Sequence, residues 1–314
     1  MARLLILSPE KIGFEVKIAI VGGGFGLYGY LPALLQIPNA TPILQTRYQE
    51  RLKARTDISQ FYNDIEWVSD DDALLETSEG IIIALPPMEQ YMWAKKCLGF
   101  KNISLMLLEK PLAPNPILAN ELLNDLESSG KKFRLGYNFR YTLWGQDILK
   151  NAKSIESIVW NFRAHHYTQN VQTWKRQHDD GGGAIRFYGI HLIALLAELG
   201  YNDASYSEVN EKQENEIESW DTELVGSGLP PCRISVASNS DNTKFIVRDG
   251  NGHVYSLLQP FQTLLTRKDA LMDQRIPFLT QGLQDMLSKD QFFYDWYHKT
   301  NLLWSNIEKR TLIS

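Results

Sequence analysis

The sequence predicts an α/β protein with two domains: an N-terminal domain built on a doubly wound parallel sheet, and a C-terminal α+β domain with an open, mostly antiparallel sheet. Three observations support this fold class. Apolar runs alternate with helical patterns in the first half, a glycine-rich turn follows the first run, and alternating strand patterns take over after about residue 140. We therefore predict domains at 1–137 and 138–314, with the C-terminal helices able to pack back on the first domain.

The first half of the chain consists of repeated strand–helix units. Its apolar runs are short and rich in β-branched residues, which is typical of strands buried on both faces of a parallel sheet. Such strands are joined by right-handed helical crossovers. The predicted strands are Val16–Val21, Pro42–Thr46, Gly80–Leu85, Ile103–Leu108 and Phe133–Gly136, and the predicted helices are Leu27–Gln36, Tyr48–Thr56, Glu89–Leu98 and Ile117–Ser128.

The second half of the chain mixes strands and helices. Asp249-Gly250-Asn251-Gly252 is a hairpin signal within a strand-rich region. Asn202–Glu218 is polar and acidic, and we interpret it as a mobile loop. The other predicted elements are a strand at Ile155–Ala164, strands within Leu224–Leu258, and helices at Gly183–Leu199, Leu279–Leu287 and Phe292–Ile307.

The composition argues against several classes of function. The formal net charge is −5 and no lysine–arginine run occurs, so we expect no nucleic-acid partner and no membrane partner. No apolar run approaches the roughly 20 residues of a membrane span. Cys97 and Cys232 are too few for a disulfide framework, and we expect free thiols in a cytoplasmic protein. Residues 1–15, with the interrupted apolar run Leu4–Leu7, are interpreted as an N-terminal extension and not as a signal peptide.

The glycine turn after the first strand predicts a dinucleotide site of the Rossmann type. Glycines at such a turn let backbone N–H groups approach a pyrophosphate at the start of a helix. Two frames are open: Gly24, Gly26 and Gly29 fit the Gly-x-Gly-x-x-Gly spacing, whereas Gly22 and Gly24 follow the strand directly. The predicted contacts of the turn with the cofactor are Gly22, Gly24, Phe25, Gly26 and Leu27.

The end of the second strand indicates which cofactor is preferred. A site for NAD usually carries Asp or Glu there, about 20 residues beyond the turn, as a partner of the ribose hydroxyls. Here Thr46 and Arg47 occupy the strand end, and Glu50 lies a turn beyond it. Because a guanidinium matches phosphate oxygens, we predict that NADP is preferred to NAD.

Glu109-Lys110-Pro111 ends a buried strand downstream of the glycine turn. In an open α/β sheet, ligands bind beyond the carboxyl ends of the strands. Lys110 is therefore placed to reach a bound cofactor or substrate, with the proline ring restricting the backbone behind it.

The chain resembles the glucose–fructose oxidoreductase / inositol dehydrogenase (Gfo/Idh/MocA) family. The resemblance implies a Rossmann domain, a second domain with an open sheet, and an active site between them where a nicotinamide meets a sugar-like substrate. Its motifs span about residues 16–200 in the family's order and spacing. They are Lys17-Ile18-Ala19-Ile20-Val21-Gly22-Gly23-Gly24, then Ala84-Leu85-Pro86-Pro87, Glu109-Lys110-Pro111 and Gly136-Tyr137-Asn138-Phe139-Arg140-Tyr141, and finally Gly181-Gly182-Gly183-Ala184-Ile185-Arg186-Phe187-Tyr188-Gly189-Ile190-His191.

The resemblance also implies roles for individual residues. Lys110 matches the lysine of the family's Glu-Lys-Pro motif and His191 matches its catalytic histidine. His191 is the candidate general base, since imidazole titrates near neutrality, and Lys110 would stabilise a developing alkoxide. On pattern alone, a structural histidine on an apolar helix is the preferred interpretation of His191, and the Gly181–Gly183 turn together with the family match favours the catalytic role. Further predicted cofactor contacts are Leu85, Pro86, Pro87, Glu109, Lys110 and Asn138.

One departure from the family pattern concerns the position four residues before the histidine. Family members usually carry an aspartate there, whereas this chain has Phe187. Phenylalanine neither accepts nor relays a proton. The family's usual glutamine or histidine after the Pro-Pro turn is also not in its standard place, although Gln90 lies nearby.

Polar and aromatic residues before Gly181 are candidate contacts for a hydroxyl-rich substrate, although an ordinary strand edge and loop would have the same pattern. The adjacent pair His165-His166 points to opposite faces if it continues the strand, so we predict no metal site there. The candidate substrate contacts are Arg163, His165, Tyr167, Trp174 and Lys175.

Three functions remain compatible with these observations. The first is an NADP- or NAD-dependent oxidoreductase acting on a secondary alcohol or ketone of a sugar, cyclitol or sugar nucleotide. The second is a catalytically weak or inactive cofactor-binding regulator, which Phe187 favours. The third is a reductase of another carbonyl or imine compound. The open sheet of the second domain makes homo-oligomers a further expectation.

Overall fold

The computed structural model describes residues 15–152, 154–262, 272–288 and 294–313. The predicted N-terminal extension lies outside the described residues except for residue 15, and so does the start of the predicted last helix. The strands are β1 (Val16–Val21), β2 (Ala40–Gln45), β3 (Glu66–Val68), β4 (Gly80–Ile83), β5 (Leu105–Leu108), β6 (Lys132–Leu135), β7 (Ile155–Arg163), β8 (Asp203–Gln213), β9 (Glu216–Gly226), β10 (Leu229–Ala237), β11 (Asn239–Asp249), β12 (Val254–Leu257) and β13 (Thr311–Ile313). The α-helices are α1 (Leu31–Leu34), α2 (Gln49–Lys53), α3 (Asp71–Thr77), α4 (Pro87–Leu98), α5 (Pro116–Ser128), α6 (Leu143–Asn151), α7 (His165–Thr168), α8 (Ile190–Leu199), α9 (Ile276–Leu287) and α10 (Asp295–Arg310).

The N-terminal sheet confirms the predicted Rossmann architecture. Its strands follow the order β3-β2-β1-β4-β5-β6, and every described pairing within it is parallel. The short edge strand β3 is not among the sequence predictions, because three partly exposed residues give no clear period. Helices cover both faces of the sheet, which explains why its central strands β1 and β4 are nearly all apolar.

The C-terminal sheet is mixed and mostly antiparallel, as predicted. Its order is β12-β11-β7-β10-β9-β8-β13, and the two parallel pairs described within it are β7 with β10 and β8 with β13. Residues alternate along β7: Ile158 and Trp160 are buried, whereas Val159 and Asn161 on the other face are only half-buried. One face therefore packs on the core, and the other is open.

The predicted mobile loop at Asn202–Glu218 is wrong. Most of this segment forms β8 and the start of β9, which pair antiparallel around a turn at Glu214 and Asn215. Asn215 has φ +66°, a backbone conformation that asparagine tolerates well. Polar residues mislead here because one side of the strand faces solvent, while Ala204, Ser207 and Val209 are buried on the other.

Both C-terminal helices contact the first sheet. Helix α9 adds Ile276, Leu279, Leu283 and Met286 to an apolar cluster that includes residues of β1 and α1. Burial of such side chains contributes about 1.5–3 kcal/mol each. Helix α10 reaches β6 through Tyr297, whose hydroxyl accepts a hydrogen bond from the Leu135 amide at 3.0 Å. Within the part of the chain that the structure describes, no helix is both long enough and apolar enough to cross a bilayer.

Candidate active site

Three strands bring the sequence motifs to one edge of the first sheet. Val21 at the end of β1 is in register with Ile83 at the end of β4, and Ile83 is in register with Leu108 at the end of β5. The glycine turn, the Ala84–Pro87 turn and Glu109-Lys110 therefore emerge side by side. Motifs separated by about 25 to 90 residues in sequence become neighbours because parallel strands end on the same side.

The glycine turn has the open backbone that an anion cradle needs. Gly22 has φ +134°, and a Cβ there would lie 2.3 Å from the Ala84 carbonyl oxygen. A Cβ on Gly24 would meet no heavy atom within 4 Å, so this residue faces open space. The turn leads into a π-helical turn at Gly26–Tyr30, where a Cβ on Gly29 would lie 2.3 Å from the Phe25 ring.

Glu109 is buried beneath the edge of the sheet. Its Oε1 accepts a hydrogen bond of 2.5 Å from the Tyr30 hydroxyl, and its Oε2 accepts one of 3.2 Å from the Lys110 amide. Burial raises the pKa of Glu109 above the ordinary carboxyl value. Gln90 donates from Nε2 to the carbonyl oxygens of Glu109 at 2.5 Å and Pro111 at 3.0 Å. Glu109 and Gln90 therefore hold the backbone that carries Lys110.

Lys110 extends from this edge toward the second domain. Its Nζ donates a 2.8 Å hydrogen bond to the Phe187 carbonyl oxygen and lies 3.4 Å from the centroid of the Phe187 ring. Burial lowers the pKa of Lys110 to about 7, with a smaller effect from the positive charges of Lys175 and Arg275. Lys110 can therefore change its protonation state near neutral pH.

A cavity of about 540 Å³ lies in front of Lys110. Residues of both domains line it, and aromatic rings make up much of its second-domain wall, as is common in ligand pockets. The lining residues are Lys110, Trp160, Phe162, Arg163, Phe187, Tyr188, His191, Thr243, Leu258, Gln259, Pro260, Phe261, Asp273, Gln274 and Arg275.

His191 lines the same cavity as Lys110. It is buried, its ring stacks on Phe139 with centroids 4.6 Å apart, and its Nδ1 has no hydrogen-bond partner among the described residues. Burial holds the pKa of His191 well below its ordinary value, and the charges of Lys110 and Arg275 lower it further. The imidazole is therefore neutral at physiological pH.

The helix that carries Phe187 and His191 begins as a π-helical turn at Ala184–Gly189. Arg186 in this turn makes two hydrogen bonds of 2.7 Å to the Glu308 carboxylate on α10. The wider π-helical turn and this buried ion pair direct Phe187 toward Lys110. π-Helical turns inside α-helices are frequent at functional sites.

The glycine triplet Gly181–Gly183 joins the second domain to the first. Gly181 has φ +89°, and a Cβ there would lie 2.8 Å from the Pro87 ring. The Gly183 amide donates a 2.9 Å hydrogen bond to the Lys175 carbonyl oxygen. The triplet thereby holds Trp174 and Lys175 against Phe187: the Trp174 ring lies 5.1 Å from the Phe187 ring, and Lys175 Nζ lies 5.3 Å from the same ring.

Two arginines that follow β2 lie beside the glycine turn, Arg47 just after the strand and Arg51 within α2. Thr46 and Arg47 are exposed there, and Arg47 makes a 3.5 Å ion pair with Asp71. Arg51, which the sequence reasoning missed, leans over the turn: its Nη1 lies 2.5 Å from the position that a Cβ on Gly23 would take. A basic residue one helical turn beyond the strand end is the signal that could have identified it.

Some predicted contacts lie away from the cavity. Arg163 is the exception, since it lines the cavity, although its guanidinium is paired to Asp241 at 2.9 Å. His165 is exposed, and none of His165, Tyr167, Trp174 and Lys175 lines the cavity. The expectation that the pair His165-His166 continues a strand is wrong: both residues belong to α7, because β7 ends at Arg163.

Asn138 also lies away from open space. It is buried next to Tyr30 and lies close to Gly282 of α9, where a Cβ would be 3.9 Å from the Asn138 Oδ1. Asn138 therefore packs among the residues that lie behind the glycine turn. No group of three metal-binding side chains occurs within the described ranges.

Arg275 is the main residue of the cavity that sequence reasoning missed. It precedes α9, pairs with the Asp273 carboxylate at 2.7 and 2.8 Å, and lies 4.1 Å from the centroid of the Phe25 ring. Arg275 therefore links the cavity to the glycine turn. No motif marks it in the sequence, because it reaches the site only through the packing of α9 on the first domain.

These features define a protein of the two-domain, dinucleotide-binding oxidoreductase class. Residues 16–137 match the sequence profile of an oxidoreductase family with an NAD-binding Rossmann fold, the Gfo/Idh/MocA family. The N-terminal domain belongs to this family, which confirms the resemblance seen in the motifs and identifies the protein as an oxidoreductase. No curated protein matches the chain in sequence.

Solved structures share the whole two-domain fold at low sequence identity. GenD2 from gentamicin A biosynthesis, in complex with NAD, is similar with a TM-score of 0.72 and 16% identity over 94% of this chain and 93% of that chain. KijD10, a 3-ketoreductase from Actinomadura kijaniata in complex with NADP and TDP-benzene, has a TM-score of 0.69 and 16% identity over 95% and 98%. The WlbA dehydrogenase from Thermus thermophilus, in complex with NAD and UDP-GlcNAcA, has a TM-score of 0.69 and 15% identity over 95% and 96%.

Proposed function

We propose that the protein transfers a hydride between the nicotinamide of NADP and a secondary alcohol or ketone of a sugar, cyclitol or sugar nucleotide. The observation that carries this proposal is the shared cavity of Lys110 and His191, which Arg275 connects to the glycine turn. The ketoreductase and dehydrogenase with the same fold, solved with TDP-benzene and UDP-GlcNAcA, support a sugar-linked substrate.

The glycine turn fits a dinucleotide. Gly24 faces open space, and its amide and that of Phe25 make no hydrogen bond to other described residues. These amides would hold the pyrophosphate at the start of the helix. When bound, the cofactor supplies or accepts the hydride, and Leu85, Pro86 and Pro87 lie at the neighbouring strand end where they would line its path.

Lys110 is the group that handles the proton in this proposal. With a pKa of about 7, its ammonium donates a proton to the substrate oxygen during reduction, and its neutral amine accepts one during oxidation. His191 acts as a neutral hydrogen-bonding group that orients the same oxygen, because burial keeps the imidazole uncharged. The aromatic rings of Phe187 and Trp160 in the cavity wall would shield the reacting atoms from water.

The arginines at the end of β2 support a preference for NADP. Arg47 and Arg51 offer two guanidinium groups beside the glycine turn, where a 2′-phosphate would lie. Glu50 is exposed and pairs with Lys53 at 3.0 Å. The dissociation constants of NADPH and NADH test this preference: we expect tighter binding of NADPH and a selective loss of it in Arg51→Ala. Tighter binding of NADH would refute the preference.

The proposed reaction is tested by following nicotinamide absorbance with a panel of sugars, cyclitols, sugar nucleotides and their ketones. We expect turnover with at least one of them, and a loss of at least about a hundredfold in Lys110→Ala. His191→Ala should lower turnover less, because the imidazole orients the substrate oxygen without carrying its proton. Tight cofactor binding without turnover across the panel would overturn the proposal.

We also propose that the open face of the second sheet forms a homo-oligomer. Val159 and Ile246 are neighbours across β7 and β11 in register, and both are only half-buried on this face. Covering them would remove apolar surface from water. Sedimentation velocity of the protein should show an oligomer that Val159→Glu weakens, whereas a monomer at all concentrations would refute this.

A further inference from the structure

Two lysines share one aromatic ring in the cavity wall. Lys110 Nζ lies 3.4 Å and Lys175 Nζ lies 5.3 Å from the centroid of the Phe187 ring. The two ammonium groups come from different domains. They repel each other, and the positive charge of Lys175 lowers the pKa of Lys110.

The backbone at Lys175 is held firmly in this position. Its carbonyl oxygen accepts from the Gly183 amide at 2.9 Å, and a Cβ on Gly182 would lie 2.7 Å from the carbonyl carbon of Lys175. The glycine triplet therefore allows a close approach that fixes the start of the Lys175 side chain. The fold of the glycine triplet therefore determines where the Lys175 side chain starts relative to Lys110.

No carboxylate neutralises Lys175 within the described part of the chain. Asp273 is engaged by Arg275 at 2.7 and 2.8 Å. Glu109 is the carboxylate whose charge acts on Lys175, but it is already bonded to Tyr30 and to the Lys110 amide. The Lys175 ammonium group makes no hydrogen bond or ion pair to another described residue, and burial lowers its pKa.

A half-buried ammonium without an anionic partner is unfavourable, since its lost hydration is not replaced. Lys175 is not a lining residue of the cavity, but it contacts the Phe187 ring that forms part of the cavity wall. An anionic ligand beside this ring would supply the missing partner, at a site where charge interactions are stronger than in water. The phosphates of a bound cofactor are expected at the glycine turn, where Arg275 contacts the Phe25 ring. A substrate bound at Lys110 would lie beside the Phe187 ring that Lys175 also contacts, so the substrate is the candidate source of the negative charge.

We propose that the substrate carries an anionic group, a carboxylate or a phosphate, that binds Lys175 within a few bonds of the carbon reacting at Lys110. This rests on the proposed oxidoreductase function and narrows its substrate class to sugars or cyclitols that carry a carboxylate or a phosphate group. Lys110 acts on the reacting oxygen, and Lys175 holds the charged substituent. Neutral sugars lack this second attachment.

Calorimetric titration of the NADPH-loaded protein tests the proposal without requiring turnover. The probes are D-glucose, D-glucuronate and D-glucose 6-phosphate, and the corresponding three compounds of the galactose series. We expect one of the anions to bind at least about tenfold more tightly than its neutral parent, which corresponds to about 1.4 kcal/mol. Whether a carboxylate or a phosphate shows the preference identifies the anionic group.

Substitutions at Lys175 make the test specific. Lys175→Met should abolish the preference for the anion, Lys175→Arg should retain most of it, and Lys101→Met at an exposed turn of the first domain should leave it unchanged. The dissociation constant of NADPH should be the same in all three variants. Thermal unfolding of each loaded variant verifies that it is folded.

Several results would overturn the proposal. They are equal binding of charged and neutral sugars, no binding of any anion, an anion preference that survives in Lys175→Met, and a loss of NADPH affinity in that variant. Turnover of a neutral sugar without anion preference would refute this inference and keep the proposed reaction. An anion preference without turnover on any substrate would support the anion site at Lys175 and refute the proposed reaction.

Discussion

The environment of Lys110 predicts how a carboxylate at position 187 would change the pH dependence of the reaction. Burial and neighbouring cations lower the pKa of Lys110 to about 7, while Phe187 offers its ammonium only a carbonyl oxygen and a ring face. Phe187→Asp places a negative charge about 4–5 Å from Nζ. At an effective dielectric constant of about 20 this interaction amounts to roughly 3–4 kcal/mol, or about 2–3 pKa units.

Solvent reduces this effect because the Lys110 side chain is only half-buried. We therefore expect a rise of about 1–2 units in the pKa of Lys110, from about 7 to about 8–9. The sign follows from the protonation state: a nearby carboxylate stabilises the ammonium, so a higher pH is needed to remove its proton. Reduction needs the Lys110 ammonium, so in Phe187→Asp its rate should fall only at a higher pH than in the unmodified protein. Oxidation needs the neutral amine, so its rate should begin to rise only at a higher pH.

The assay is the pH dependence of kcat/KM in Phe187→Asp, with Phe187→Leu as the matched control. Phe187→Leu removes the ring face without adding charge, and loss of a cation–π contact of about 0.5–2 kcal/mol lowers the pKa. The two variants should therefore shift the midpoint in opposite directions. If neither substitution moves the midpoint, Lys110 is not the titrating group and the proton is handled elsewhere.

Three further predictions concern the structure around the site. Gly181→Ala should destabilise the protein by about 1–3 kcal/mol in denaturant unfolding, because its φ of +89° and the nearby proline ring exclude a Cβ; an unchanged midpoint would refute this role of the turn. Glu308→Gln should cost about 3–5 kcal/mol by leaving Arg186 buried without its anion. The pKa of Glu308 is lowered from 4.5 to about 2, so its contribution to the free energy of unfolding is complete above about pH 4.5 and is lost as the pH falls toward 2. In Glu308→Gln, the free energy of unfolding should therefore lack this part of its decrease with falling pH. Tyr30→Phe should lower stability by about 1–3 kcal/mol, because the buried Glu109 carboxylate loses its 2.5 Å donor, and a Tyr30→Phe protein with full thermal stability would contradict that role.

The sequence predicts the first domain and its strand-end motifs well. In this domain the continuous apolar runs and the turn residues indicate the same strand boundaries, and the glycine turn is recognisable without any tertiary contact. Parallel strands then require that the motifs after β1, β4 and β5 meet at one edge. That is why the sequence alone suffices to place Lys110 beside the glycine turn.

The second domain is harder to predict because its strands have one face in solvent. The segment at Asn202–Glu218 has the composition of a loop, yet pairing on the sheet makes it a hairpin. A few alternating apolar residues among many charged ones resemble a solvated loop. Only pairing with neighbouring strands shows that the segment is a strand and not a loop.

The sequence by itself determined the fold of the first domain, the family resemblance and the presence of Lys110 and His191 as candidates, because these depend on local patterns. Only the tertiary structure decided the state of those groups. It put Arg275 in the cavity through the packing of α9, and it placed Lys110 and Lys175 on one Phe187 ring. A pKa depends on burial and on charges from distant parts of the chain, and no sequence pattern records either.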